Sequence, residues 1–131
     1  MASFCVTLFD TIENPGENDA CFLCSTQDLT LNKNSFYRIT FLLSKNNQDV
    51  DLTGYSLRGF IKKSSSSTDY LLNMNSANQL LTLNVENSSV SMNITESFTR
   101  RIEENFLYYE IYLLNSLSQS SKIIEGLITF V

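Results

Sequence analysis

Leu81-Thr82-Leu83-Asn84-Val85-Glu86-Asn87-Ser88-Ser89-Val90-Ser91-Met92-Asn93-Ile94 reads as two β-strands and the turn that joins them. Apolar and polar residues alternate on both sides, the period of a strand with one face toward a core. Leu81, Leu83 and Val85 point one way, and Val90, Met92 and Ile94 repeat the pattern. The four polar residues Glu86 to Ser89 have the length and composition of a hairpin turn. An antiparallel hairpin of this kind needs a second apolar surface to cover it, so the rest of the chain must supply one.

Working outward, the same alternation recurs. Phe36 to Leu43 has the apolar and β-branched content of a buried strand, and Lys45-Asn46-Asn47-Gln48-Asp49 follows as a polar hairpin tip. In Ser56-Leu57-Arg58-Gly59-Phe60-Ile61-Lys62, Leu57 and Ile61 share one face while Arg58, Phe60 and Lys62 share the other. A further short strand is expected over Tyr70 to Met74. Phe106 to Leu114 places Phe106, Tyr108, Glu110, Tyr112 and Leu114 on one face and Leu107, Tyr109, Ile111 and Leu113 on the other. Its aromatic content favours a strand, and it should form a hairpin with Lys122 to Val131 across the polar turn 115–121. One segment reads as helix: Thr95 can cap an N-terminus, with Phe98 and Ile102 at i and i+4 over residues 95–103. Ser64 to Ser67 is a short low-complexity loop tip.

About seven to eight short antiparallel strands with one brief helix predict an all-β, Ig-like β-sandwich, with a small barrel as the alternative. The domain should occupy residues 28–131. Residues 1–27 are expected to be an N-terminal arm or an added strand: Ser3 to Phe9 suits a strand, and Asn14-Pro15-Gly16 marks a turn.

Composition narrows the chemistry. The chain has 131 residues, enough for a core without disulfide or metal, and no apolar run near the length needed to span a bilayer. No secretory signal opens the sequence, so the chain is expected to stay in the compartment where it is made. A net charge of −5 with 9 basic residues argues against nucleic acid, and Lys62-Lys63 and Arg100-Arg101 read as solvated edges or turns. With no histidine, the commonest general base and nucleophile activator is missing, and no phosphate-binding glycine loop is present. Glu103-Glu104 beside the helix end reads as solvated charge. These features predict a chain that is not an enzyme and takes no cofactor. Cys21-Phe22-Leu23-Cys24 has zinc-site or dithiol spacing, but only Cys5 remains to join it. Structural zinc takes four ligands, so packed, reduced thiols are the plainer reading, with metal and a disulfide left as alternatives.

Tyr108, Tyr109 and Tyr112 fall on both faces of one strand. They fit either a core plus the outer row of a central strand or a subunit interface, where aromatic residues are enriched. With Phe4 and Phe22 of the arm, they form the candidate interface set.

The order Phe36-Tyr37-Arg38-Ile39-Thr40-Phe41, then Asp51-Leu52-Thr53-Gly54-Tyr55 leading into Ser56 to Lys63, then Tyr108-Tyr109-Glu110-Ile111 and Ile123-Ile124-Glu125-Gly126-Leu127-Ile128-Thr129-Phe130-Val131 resembles a family of small Ig-like β-sandwich proteins of tailed bacteriophages. The likeness runs from about residue 29 to 131, with Glu104-Asn105-Phe106 standing where the family tends to have a glycine. In the first motif Asp51 can accept backbone hydrogen bonds, Gly54 permits a positive φ, and Tyr55 anchors the corner. The resemblance implies a non-enzymatic virion component of the neck, tail, baseplate or capsid surface. Such a component would be made in the host-bacterium cytoplasm, would contact other virion proteins or copies of itself, and would need neither membrane nor nucleic acid. The rival expectation is a host-surface or carbohydrate-binding module, for which Tyr70 with Asp69 is the candidate.

Overall fold

The computed structural model describes residues 5–6, 25–45, 48–49 and 51–131. Among them are eleven strands: β1 (Cys5–Val6), β2 (Ser25–Thr26), β3 (Leu29–Leu31), β4 (Tyr37–Lys45), β5 (Gln48–Asp49), β6 (Ser56–Lys62), β7 (Leu72–Asn75), β8 (Leu81–Asn84), β9 (Ser89–Ile94), β10 (Phe106–Leu114) and β11 (Ser120–Phe130), with one helix, α1 (Glu96–Arg101). They form two sheets. One runs β1-β4-β9-β8 with β5 beside β4; the other runs β2-β11-β10-β6-β7, with β3 also on β11.

This is the Greek-key arrangement of an immunoglobulin-like sandwich: β1, β4, β9 and β8 occupy the places of A, B, E and D, and β6, β10 and β11 those of C, F and G. The expected hairpin pairs as read, Leu81 opposite Met92 and Leu83 opposite Val90. Val85 lies beyond the end of β8 and is exposed rather than sharing the inner face of Leu81. β4, β6, β7, β10 and β11 begin and end within a few residues of their expected bounds, whereas β3 and β5 form where the sequence reading expects no strand.

One feature of the N-terminal region departs from a purely antiparallel sandwich. β2 and β3 run parallel to β11, with Ile124 opposite Ser25 and Ile128 opposite Leu29. β1 pairs antiparallel with β4, so the described part of residues 1–27 adds strands to both sheets. Phe4, Phe22, Cys21 and Cys24 lie outside the described residues, as does the turn expected at Asn14-Pro15-Gly16.

The core lies between the sheets. Phe41 and Leu43 of β4, Ile61 of β6, Met92 of β9, and Leu107, Ile111 and Leu113 of β10 are buried. At its centre Tyr109 of β10 faces Phe41 of β4, ring centroids 6.3 Å apart. An aromatic contact thus spans the two sheets where many immunoglobulin domains have a disulfide. Tyr109 is 0% exposed, so it belongs to the core and not to the expected interface set. The period-two spacing puts it on the same side as Leu107 and Ile111, and the opposing sheet covers that side.

α1 forms where expected. Thr95 Oγ1 accepts from the Phe98 amide at 3.2 Å, and Phe98 and Ile102 are buried. Thr99, also buried, accepts from the Ser35 amide at 3.0 Å and donates to the Ser35 carbonyl at 2.9 Å, clamping the helix to the approach of β4.

Candidate binding face on the outer side of the second sheet

Residues directly opposite one another in an antiparallel pair point to the same side. Register therefore lays out the outward face of β7, β6, β10 and β11 as rows. Asn75, Arg58, Tyr112 and Lys122 form one row. Asn73, Phe60, Glu110 and Glu125 form the next, and Lys62, Tyr108 and Leu127 a third.

The middle row sets two carboxylates opposite each other, which is unfavourable unless a cation is shared. Lys122 from the adjoining row supplies it, its Nζ 3.1 Å from Glu110 Oε2 and 3.1 Å from Glu125 Oε1. Lys62 approaches from the other side, 2.9 Å from Glu110 Oε1. The Tyr108 hydroxyl donates to Glu125. The result is a linear chain of charges, Lys62–Glu110–Lys122–Glu125, in which every member has an opposite neighbour.

Burial and pairing set the proton affinities. The Tyr108 hydroxyl holds the Glu125 carboxyl below the usual carboxylate range, outweighing partial burial, and Lys122 adds to the effect. Burial pushes Tyr108 up, and its bond to Glu125 pushes it further. Desolvation pulls Lys122 down, but hydrogen bonds to Glu125 and Glu110 outweigh it and the amine stays well above its ordinary value. Burial, then the charge of Glu110, raises Tyr112.

One reading from sequence is corrected here. Lys62 is 9% exposed and ion-paired, not a solvated edge, because the neighbouring strand brings Glu110 beneath it. Glu110 stands on the outward face yet is only 5% exposed. Glu104 is ion-paired with Lys63 at 3.5 Å. Arg100 pairs with Glu96 at 2.7 Å along the helix.

Of the expected interface residues, Tyr108 and Tyr112 stand together on this face and are half-buried. Spacing alone could place Tyr108, Glu110 and Tyr112 on one side. Lys62, Lys122 and Glu125 join them only through strand pairing. Around the Tyr108 end lies a depression of about 500 Å³ lined by Thr26, Asp28, Ser65, Tyr108, Lys122 and Leu127 among others.

The motif residues hold turns and crossings. Asp51 Oδ1 accepts from the Thr53 amide at 3.0 Å, and hydrogen bonds from Thr53 hold its carboxyl low. Gly54 has φ +85°, and the Tyr55 amide donates to the Leu52 carbonyl at 3.1 Å. Gly126 is demanded by a close approach: a Cβ there would lie 2.0 Å from the Gln27 carbonyl oxygen. The glycine therefore lets the N-terminal segment lie against β11, where the Tyr109 hydroxyl donates to that carbonyl at 2.6 Å.

Tyr70 and Asp69 do line a common depression, with Lys63, Ser66, Ser67 and Thr68. Tyr70 precedes β7 rather than opening it. Among the described residues no three His, Cys, Asp or Glu side chains gather as a metal site, and no helix is long and apolar enough to cross a membrane.

No family model matches the chain, and no curated protein matches it. A solved structure described as "Drosophila OTK, extracellular domains 3-5" is similar at 13% identity and a TM-score of 0.35, over 81% of this chain and 32% of that one. This chain thus spans about a third of that structure's length.

Proposed function

We propose that the chain is a non-enzymatic structural subunit of a tailed-phage virion, in its neck, tail, baseplate or capsid surface. It docks through the outward face of β6, β10 and β11 onto a neighbouring virion protein or a further copy of itself. The observation that carries the docking face is the charge chain Lys62–Glu110–Lys122–Glu125, internally paired and set between Tyr108 and Tyr112. Covering a sheet face that bears separate charges would strand them away from water at a cost of several kcal/mol per ion. Here each charge of that chain already has its partner, so a neighbour can exclude water from it without leaving one of its members unpaired. The half-buried tyrosines supply the rigid, amphipathic area that interfaces favour.

What supports the virion assignment is the sequence resemblance, several of whose motif residues have folding roles in this sandwich. Asp51 and Gly54 make the turn, and Gly126 admits the N-terminal segment. The absence of histidine from the sequence favours a non-enzymatic role.

Quantitative mass spectrometry of the purified particle encoded with this chain tests the assignment. A ring's worth of copies, on the order of six to twelve, is expected for a neck, tail or baseplate position, and hundreds for the capsid surface. Absence from the particle overturns it. The docking face has its own test: Tyr112→Ser should lower incorporation without unfolding the chain, and unchanged incorporation would rule that face out.

A further inference from the structure

At the β7 edge of the same face stands a group of side chains that the charge network does not use. Phe60 and Tyr70 stack with ring centroids 4.1 Å apart and planes 14° from parallel. Tyr112 meets Phe60 edge-on at 6.0 Å, so the stack is braced from the centre of the sheet. The next residue fixes Tyr70 in place, the Leu71 amide donating to the Ile61 carbonyl at 2.7 Å. Yet Tyr70 is 51% exposed. A ring held this firmly while half of it meets water is a preformed platform.

Polar side chains surround it. Pairing of β6 with β7 sets Asn75 opposite Arg58 and Asn73 opposite Phe60. The Asn75 side-chain carbonyl accepts from the Asn78 amide at 2.9 Å, which leaves its NH₂ as the available donor. Among the described residues no hydrogen bond or ion pair engages the side chains of Arg58 or Asn73. These residues and the two rings line a cleft of about 520 Å³. Tyr70 is also a wall of the second cleft, of similar size, with Asp69, Ser66 and Thr68.

We infer that this corner is a saccharide-binding site that takes an oligosaccharide across Tyr70. A pyranose ring has an apolar C–H face that stacks on an aromatic ring and a rim of hydroxyls that both donate and accept. Amides and a guanidinium match that rim with paired, planar hydrogen bonds, and their water is exchanged for like partners at little cost. Two clefts sharing one aromatic wall fit neighbouring sugar units better than a single one. Nucleic acid fits poorly, since Arg58 and Lys63 are the only cations lining the clefts and the chain carries −5 overall. The inference does not rest on the virion reading.

The test uses the full chain displayed in many copies on fluorescent beads, so that individually weak sites register. The array is printed with peptidoglycan fragments, O-antigen chains, capsular oligosaccharides and teichoic acid oligomers. Retention on at least one glycan class is expected. It should fall at least about tenfold for Tyr70→Ala and for Asn73→Ala, and persist in Tyr70→Phe, which keeps the ring. Circular-dichroism melting of each variant separates binding from folding; if Tyr70→Ala melts early, the exposed Asn73→Ala and Arg58→Ala variants decide. No retention of the native chain, or retention unchanged by these substitutions, overturns the site. A chain present in the particle that holds no glycan would remove this site alone. A chain that holds glycan but is absent from the particle would remove the virion reading alone.

Discussion

Gly126 and Glu110 show how much a single position can decide in this chain. A methyl group at Gly126 would stand 2.0 Å from the Gln27 carbonyl oxygen and 2.9 Å from the buried Tyr109 ring, which leaves little room to yield. Gly126→Ala should therefore push the segment of β2 away from β11, costing about 1–3 kcal/mol as overpacking does. Hydrogen exchange should show the Gln27 amide, which donates to the Glu125 carbonyl at 2.8 Å, losing protection before the core strands do. Glu110 is the shared anion of two lysines. Glu110→Ala leaves Lys62 almost buried without its counter-charge and should cost about 3 kcal/mol in urea unfolding. Replacing both, Glu110→Met with Lys62→Met, should recover most of that loss, because a well-packed apolar pair often equals a buried ion pair. A double variant as unstable as the single would show that packing, not the stranded charge, sets the cost.

At the scale of elements, α1 and the β10–β11 hairpin are each held by one polar device. The helix has only six residues, too few to persist by propensity alone. Its attachment is Thr99, whose hydroxyl serves both the amide and the carbonyl of Ser35. Thr99→Val keeps the shape and removes both bonds, so about 1–3 kcal/mol of stability should be lost, read as a lower urea midpoint. The hairpin carries the ionic chain, which makes stability depend on pH at both ends. Glu125 titrates lower in the fold than in the unfolded chain, so the unfolded state takes up protons first as pH falls. The stabilisation is present above about pH 4.5 and is lost as pH falls through the folded value. Tyr108 is shifted the other way: its contribution is full below about pH 10 and is lost as pH rises beyond that. Urea midpoints should form a plateau between these limits, and Tyr108→Phe should make the acid-side fall shallower. An acid limb identical in the variant would show that the Tyr108 bond does not govern Glu125.

For the whole molecule, the two sheets meet at Phe41 and Tyr109, with no covalent link between those positions. Phe41→Ala should open a cavity at the centre of the sandwich and cost about 3–5 kcal/mol, a large share of the roughly 5–15 kcal/mol that holds an ordinary domain together. A thermal midpoint lowered by only a degree or two would place the anchor elsewhere. The strands themselves were legible without coordinates, because alternation in Leu81 to Ile94 and Phe106 to Leu114 is a local signal tied to the two-residue period of a strand. The turn at Asp51 to Tyr55 was legible for the same reason, its hydrogen bond and its positive φ lying within a few residues. Tyr109 was assigned to the wrong company, since its own strand shows which side it faces but not what covers that side. The parallel pairing of β2 and β3 with β11, the burial of Lys62 and the Phe60–Tyr70 stack had no local signature. What the sequence by itself determined was therefore the strands, their faces and the helix cap, all products of backbone period and short-range bonding. Only the tertiary structure decided which rows of side chains became neighbours, because register joins residues such as Lys62, Glu110 and Lys122 that are far apart in the chain.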